Sequence, residues 1–125
     1  MKKILMVEDD QRSTIVLSAR LKAMGYEVTT AHDVVSAITA ARKSEPNVVL
    51  IDVNEPGADG LLVARRLQVC VQSAFTPMVF ISANQGPEVK EQAMKLGAVA
   101  CLDKPLHAAD LVQAIEDSYR TAVSL

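Results

Sequence analysis

Short apolar segments alternate with longer segments of helical periodicity along the chain. Five runs have strand length: residues 4–7, 26–31, 48–51, 78–81 and 99–102. Four of them are apolar, whereas 26–31 is more polar, as expected for a strand at a sheet edge. Between them hydrophobic residues recur at helical spacing, as Leu17 and Leu21 do after the first run and Val63 and Leu67 do after the third. Strands that alternate with helices in units too short for hairpins predict a parallel sheet with helices on both faces.

Turn and capping residues delimit the helices. Their predicted bounds are 11–24, 34–45, 61 to the break at 75–77, the loop at 84–87 to 97, and 107–120. Asp33 is expected to cap the second helix. Met24 is placed on the buried face of the first helix and Met94 in the core, and either Leu111 or Val112 points inward from the last helix.

The predicted fold is α/β: a doubly wound, five-stranded parallel sheet of strand order 2-1-3-4-5, the flavodoxin-like arrangement. The 125 residues fit one compact domain, so we expect a single domain over residues 1–125 with no output domain. This order places the first and third strands side by side. Ligands of open α/β sheets bind outside the carboxyl ends of the strands at that point.

Composition excludes several classes of partner. The net charge is −2 and no element carries a stripe of Lys and Arg, so direct nucleic-acid binding is not expected. Two cysteines are too few for a disulfide framework, and no Cys and His residues stand at zinc spacing. No apolar run approaches the roughly 20 residues of a membrane span. A cytoplasmic protein without membrane contact is predicted.

Charged and polar residues follow four of the five predicted strands. Glu8 and Asp9 follow the first strand, Asp52 the third, Ser82 the fourth and Lys104 the fifth. Carboxylates that converge repel one another unless cations intervene. Lys104 together with one magnesium ion would balance three carboxylates, and magnesium favours oxygen ligands, water and phosphate. The pattern therefore predicts a magnesium-dependent site for a phosphoryl group.

Each of these residues also has a purely structural interpretation. Acids just before a helix, Asp10 among them, commonly favour the helix dipole, and a single strand-end Asp, Ser or Lys is unremarkable. Only their joint occurrence at strand ends favours a functional site. His32, in a loop far from the crevice, and His107, at a helix start, are predicted to be surface residues.

Taken together, these positions resemble a response-regulator receiver domain of the single-domain chemotaxis type. The resemblance covers essentially all of the chain. It rests on residues 7–9, on Asp52 with Pro56 and residues 59–60, on residues 82–83, and on Lys104 with Pro105. It implies a phosphorelay function in two-component signalling.

The resemblance also implies a role for each residue of the site. Asp52 would accept a phosphoryl group from a phosphohistidine of a sensor histidine kinase or a histidine phosphotransfer domain. Mg²⁺ would be held by Asp9 directly, by Glu8 through water, by Asp52, and by the backbone carbonyl of Asn54. Lys104 would pair with one phosphoryl oxygen and Ser82 would donate a hydrogen bond to another. No enzymatic activity beyond self-phosphorylation and slow autodephosphorylation is implied.

The chain departs from the family pattern at three positions. Cys101 stands where the fifth strand usually carries an aromatic residue, so an aromatic switch cannot operate. Glu55 replaces a residue that is usually apolar, and Leu106 replaces a common Phe. By resemblance, the peptide bond before Pro105 is expected to be cis.

The partners and the alternatives follow from the same comparison. A kinase would dock on the crevice and on helix 11–24. An unknown downstream protein would contact the fourth helix, the fifth strand and the fifth helix, including Cys101.

There are three alternative functions. A degenerate receiver that binds partners without phosphorylation remains an open alternative. An aspartate-nucleophile phosphohydrolase usually has a second acid where this chain has Asn54, and a flavin or nucleotide binder would need a Gly-rich loop that is lacking.

Overall fold

The computed structural model describes residues 2–8, 11–53, 58–83, 87–104 and 106–123. Strands and helices alternate through these residues as predicted: β1 Lys3–Val7, α1 Gln11–Ala23, β2 Glu27–Ala31, α2 Val34–Ser44, β3 Val48–Val53, α3 Ala58–Val69, β4 Met78–Ser82, α4 Pro87–Lys95, β5 Ala100–Asp103 and α5 Ala108–Val123. All strand pairs are parallel and the order is β2-β1-β3-β4-β5, so the predicted fold is confirmed.

Strand alternation divides the core into two layers. Odd-numbered residues of β1 and β3, such as Leu5 and Ile51, pack with α2, α3 and α4. Even-numbered residues of the same strands, such as Met6 and Leu50, pack with α1 and α5. β3 is apolar on both faces because it is covered on both, as expected for a central parallel strand. None of the helices in the described ranges is long and apolar enough to span a membrane.

Local sequence signals account for several helix ends. Asp33 caps α2 through its side chain, which accepts a hydrogen bond from the Ser36 backbone N–H at 2.7 Å, and the Ser36 side chain completes a capping box. Gly25 follows α1 with a φ of 98°, a left-handed conformation that glycine adopts without strain. α3 begins at Ala58 rather than near Leu61 and ends at Val69, well before the predicted break, because residues 71–75 form turns.

Two methionine predictions are wrong. Met24 lies in the turn after α1 and is 48% exposed, while Met94 on α4 is 55% exposed. Neither is needed inside, because small and branched residues such as Ala93 already fill the layer against the sheet. In α5, Leu111 is the buried residue and Val112 is half-buried, which decides between the two predicted alternatives.

A polar cluster ties α5 to the amino-terminal side of the sheet. The Lys2 ammonium lies 2.7 Å from both carboxylate oxygens of Glu116 and 4.3 Å from the centroid of the Tyr119 ring. The Tyr26 hydroxyl donates to Glu116 at 2.8 Å. Burial, and then this hydrogen bond and the adjacent negative charge, raise the pKa of Tyr26 to about 12.

The raised pKa of Tyr26 predicts a pH dependence of stability. The folded state favours the protonated phenol, so this contribution is complete below the ordinary tyrosine pKa of about 10 and is lost between roughly pH 10 and 12. Tyr26→Phe should therefore flatten the dependence of the urea midpoint on pH in this interval. Tyr119→Phe, which keeps the Tyr26–Glu116 hydrogen bond, is the control. Equal slopes for wild type and Tyr26→Phe would contradict this assignment.

Candidate functional site

Three charged side chains meet at the carboxyl end of the sheet. The Lys104 ammonium lies 2.5 Å from Asp52 Oδ2 and 3.8 Å from Glu8 Oε2. The side chains of Glu8 and Asp52 are only 3% and 7% exposed, whereas that of Lys104 is 29% exposed. The structure thus brings these three predicted residues together, with Lys104 between two largely buried carboxylates.

Strand parity explains why these side chains converge. Even-numbered residues of β1, β3 and β5 face the side of the sheet that α1 and α5 cover. Glu8, Asp52 and Lys104 continue that parity at the strand ends, and parallel pairing brings those ends to one edge. A strand shifted by one residue would turn its charged group to the other face.

Ser82 is the last residue of β4 and is fully buried. It stands opposite Val53 in β3 and opposite Asp103 in β5. Its carbonyl accepts a hydrogen bond from the Lys104 backbone N–H at 2.9 Å. This bond fixes the start of the segment that carries the Lys104 side chain.

Some predicted residues fall outside the part of the chain that the structure describes. These are Asp9, Asp10, Asn54, Glu55, Pro56 and Pro105, so the predicted direct metal ligand, the carbonyl ligand and the cis peptide bond are not observed. In the described ranges, no group of three or more His, Cys, Asp and Glu side chains could hold a metal ion. Glu8 and Asp52 are therefore the two described carboxylates available to one.

One oxygen of Asp52 is suited to bind the magnesium ion that the sequence predicts. Its Oδ2 contacts Lys104, but its Oδ1 is buried and makes no hydrogen bond within the described structure. A buried carboxylate oxygen is normally satisfied, because desolvation without a partner costs about 1–3 kcal/mol or more. Mg²⁺ takes one or two protein carboxylates together with water and phosphate oxygens. The carboxylates of Glu8 and Asp52 match that preference.

His32 lies closer to the crevice than predicted. It is exposed, as expected for a surface residue, but its Nδ1 lies 2.7 Å from the backbone carbonyl oxygen of Glu8. A carbonyl only accepts hydrogen bonds, so this ring nitrogen carries the proton. The contact follows from topology, since His32 comes directly after β2 and β2 pairs with β1. The predicted strand order would have been enough to place His32 beside the end of β1.

A second group of charged side chains lies near Cys101, and it was not predicted from the sequence. Asp103 and Lys90 form an ion pair of 3.2 Å between β5 and α4. Cys101 is half-buried, and burial followed by the Asp103 carboxylate raises its pKa, while Lys90 acts in the opposite direction. His107 is exposed just before α5, as predicted.

The fold and the site together define a five-stranded parallel α/β domain with an acidic crevice at the carboxyl ends of its strands. Residues 4–116 match the response regulator receiver domain family. The chain is 36% identical to the response regulator PleD of Caulobacter vibrioides over 104 residues, which cover 83% of this chain and 23% of PleD. It is 34% identical to the sensor histidine kinase RcsC of Salmonella typhi over 113 residues, 90% of this chain and 12% of RcsC. It thus spans a quarter or less of these curated relatives.

Solved structures agree with this result. The chemotaxis protein CheY4 of Vibrio cholerae superposes with a TM-score of 0.86 at 30% identity, over 94% of this chain and 98% of that one. NtrX of Brucella abortus superposes with a TM-score of 0.86 at 29% identity, over 98% of this chain and 28% of that one. The chain belongs to the receiver domain family of response regulators in two-component systems. Receiver domains are phosphoacceptors rather than classical enzymes.

The environment of Cys101 predicts how its thiol reacts. In a Cys70→Ser background, Asp103→Asn removes the adjacent negative charge, which lowers the pKa of Cys101 and increases the thiolate fraction. The rate of reaction with a chromogenic disulfide at pH 8 should rise several-fold. Lys90→Gln should slow it. The control is Asp110→Asn on α5, and equal rates in the Asp103 and Asp110 variants would contradict the assignment.

Proposed function

We propose that this chain is a phosphorylation-controlled receiver in which Asp52 takes the phosphoryl group from a phosphohistidine. One observation carries the proposal: the Lys104 ammonium is 2.5 Å from Asp52 Oδ2 and 3.8 Å from Glu8, while Asp52 Oδ1 has no hydrogen-bond partner in the described structure. A cation is therefore already beside the acceptor carboxylate. Residues 1–125 would act as one receiver unit in the cytoplasm.

The proposed transfer needs few protein groups. An oxygen of Asp52 attacks phosphorus, a P–O bond forms as the P–N bond of the phosphohistidine breaks, and the imidazole leaves with the electron pair. Lys104 pairs with one of the transferred phosphoryl oxygens. Ser82 turns from its buried position to donate a hydrogen bond to another, which draws the start of the β4–α4 loop toward the site.

Receiver domains generally bind Mg²⁺ at their acidic pocket. In this chain Asp52 and Asp9 would hold the ion directly, Glu8 through water, and Asn54 through its carbonyl. When bound, Mg²⁺ would supply positive charge that offsets the carboxylates and the phosphoryl oxygens. The buried Asp52 Oδ1 supports this assignment, because it lies in the crevice and has no hydrogen-bond partner within the described structure. Asp103 Oδ1 also lacks a partner there, but the Asp103 carboxylate pairs with Lys90 instead of Lys104.

Two surfaces suit the proposed partners. Receiver domains accept phosphate from histidine kinases, and α1 offers the exposed residues Ile15 and Val16, at 68% and 58%, for a kinase or phosphotransfer domain. Between β5 and α5 lies a groove of about 540 Å³, lined by residues such as Leu102 and Leu106. A downstream target would bind there, beside the Lys90–Asp103 ion pair rather than beside an aromatic side chain.

Phosphoryl incorporation tests the acceptor assignment. With phosphoramidate and Mg²⁺, intact-mass spectrometry should show one phosphoryl group on the wild type and none on Asp52→Asn, because the amide is not a competent nucleophile. Asp110→Asn, which removes an exposed acid on α5, should be modified like the wild type. Removal of Mg²⁺ by EDTA should suppress the modification.

Each other result leads to a different conclusion. Modification of Asp52→Asn at the wild-type level would reject Asp52 as the acceptor. No modification of the wild type by any small phosphodonor would favour the degenerate receiver, which binds partners without phosphorylation. Continuous release of phosphate from a monoester substrate would favour the phosphohydrolase.

Lys104 is predicted to act in the response rather than in metal binding. Its ammonium would contact the phosphoryl group, and a charge-assisted hydrogen bond contributes about 1.5–3 kcal/mol, roughly tenfold or more in population. Lys104→Ala should bind Mg²⁺ with near wild-type affinity. It should nevertheless lose most of the phosphorylation-induced change in hydrogen exchange at β4 and α4. Lys95→Ala is the control, and an unchanged response in Lys104→Ala would remove Lys104 from the switch.

A further inference from the structure

The outer face formed by α2 and α3 carries an apolar groove. The groove measures about 480 Å³, and its walls include Val35 and Ile38 from α2 and Val69 from α3. Val35 is 75% exposed and Val69 is 82% exposed. Ile38 also packs partly against the core that Leu67 belongs to, whereas Val35 and Val69 are not among the core residues. Single exposed valines are common, but two that line one groove form a patch.

The connection that leaves α3 also exposes large apolar side chains. Val71 is 94% exposed and Phe75, one of two phenylalanines in the chain, is 91% exposed. Five of the ten large hydrophobic side chains that are exposed in the described ranges belong to α2, α3 or this connection. Exposed apolar residues that share a groove, as Val35 and Val69 do, are typical of an interaction surface.

The two helices that form the groove carry more basic than acidic residues. Arg42 and Lys43 stand in the last turn of α2 and Arg65 and Arg66 stand in α3; all four are exposed, and none makes an ion pair within the described ranges. Arg66 itself lines the groove. Within the two helices Asp59 is the only acid, while the exposed cap residues Asp33 and Glu45 flank α2.

We propose that the α2–α3 groove binds an amphipathic helix of a partner protein, with apolar residues along one face and Asp or Glu on its flanks. A groove between two helices with spaced apolar anchors accepts a helix as its ligand. Arg42 follows Ile38 by four residues and Val35 by seven, so it lies on the same stripe of α2. The arginines make acidic flanks complementary, which favours both encounter and orientation.

This surface is separate from the phosphotransfer site. The groove is lined by residues of α2 and α3 and by Cys70, and none of the residues proposed for phosphoryl transfer is among them. The inference therefore does not rest on the chemistry of Asp52. Nucleic acid fits this surface less well, because a phosphate backbone can pair with the arginines but presents no apolar side chains to Val35 and Val69.

A peptide selection tests the chemistry of the ligand. A displayed library of 16-residue helical peptides with random surface positions is selected on the intact protein, with counter-selection on the Val69→Asp variant. Enriched peptides should carry large apolar residues at i, i+3 or i+4, and i+7, with Asp or Glu beside them. Enrichment of basic peptides, of peptides without apolar spacing, or of peptides that bind Val69→Asp equally would overturn the proposal.

Charge reversal then locates the binding face. Arg66→Glu should weaken the best enriched peptide at least tenfold, and Lys22→Glu, an equal change of charge on α1 across the sheet, should leave the affinity within twofold. Asp52→Asn should also bind normally. Circular dichroism verifies that each variant is folded. Self-association, or binding of duplex DNA, that Arg66→Glu abolishes would reassign the groove to a second copy or to nucleic acid and overturn the proposal.

Discussion

The contact between Lys104 and Asp52 is the constraint on which the rest of this site depends. Two carboxylates, Glu8 and Asp52, are almost completely buried at the ends of adjacent strands, and burying such charges without a partner costs several kcal/mol. The Lys104 ammonium reaches both, at 3.8 and 2.5 Å. This arrangement requires that β1, β3 and β5 end with the same parity, so the register of the whole sheet bears on the chemistry at its edge.

Much of the fold and part of the site follow from the sequence because parallel strands impose simple rules. Apolar runs with helical segments between them determine the sheet, and the carboxyl ends of its strands must lie at one edge. Glu8, Asp52, Ser82 and Lys104 could therefore be selected before any coordinates. Distances could not, because the position of a long side chain such as Lys104 depends on packing that sequence spacing does not describe.

The wrong or missing predictions have identifiable physical causes. Met24 keeps helical spacing relative to Leu17 and Leu21, and Met94 was assigned to the core because methionine fills irregular gaps. Other residues, such as Leu21 and Ala93, already fill the layers against the sheet, and both methionines are largely exposed. His32 was assigned by its loop rather than by the strand beside it, and its contact with the Glu8 carbonyl arises from the pairing of β1 with β2. Asp103 and Lys90 meet through tertiary packing, for which no local pattern exists.

The two layers of the sheet separate the surfaces of this receiver. Glu8, Asp52 and Lys104 share the parity of residues that face α1 and α5, whereas Cys101 packs with the layer of α2, α3 and α4. Ser82 and Asp103 are register neighbours, so the end of β4 lies directly beside the residue of β5 that forms the Lys90 ion pair. The α2–α3 groove has no such neighbour in the site. A ligand there would alter the proposed phosphorylation only if it bound the two proposed states of the site with different affinity, since coupling between sites is reciprocal.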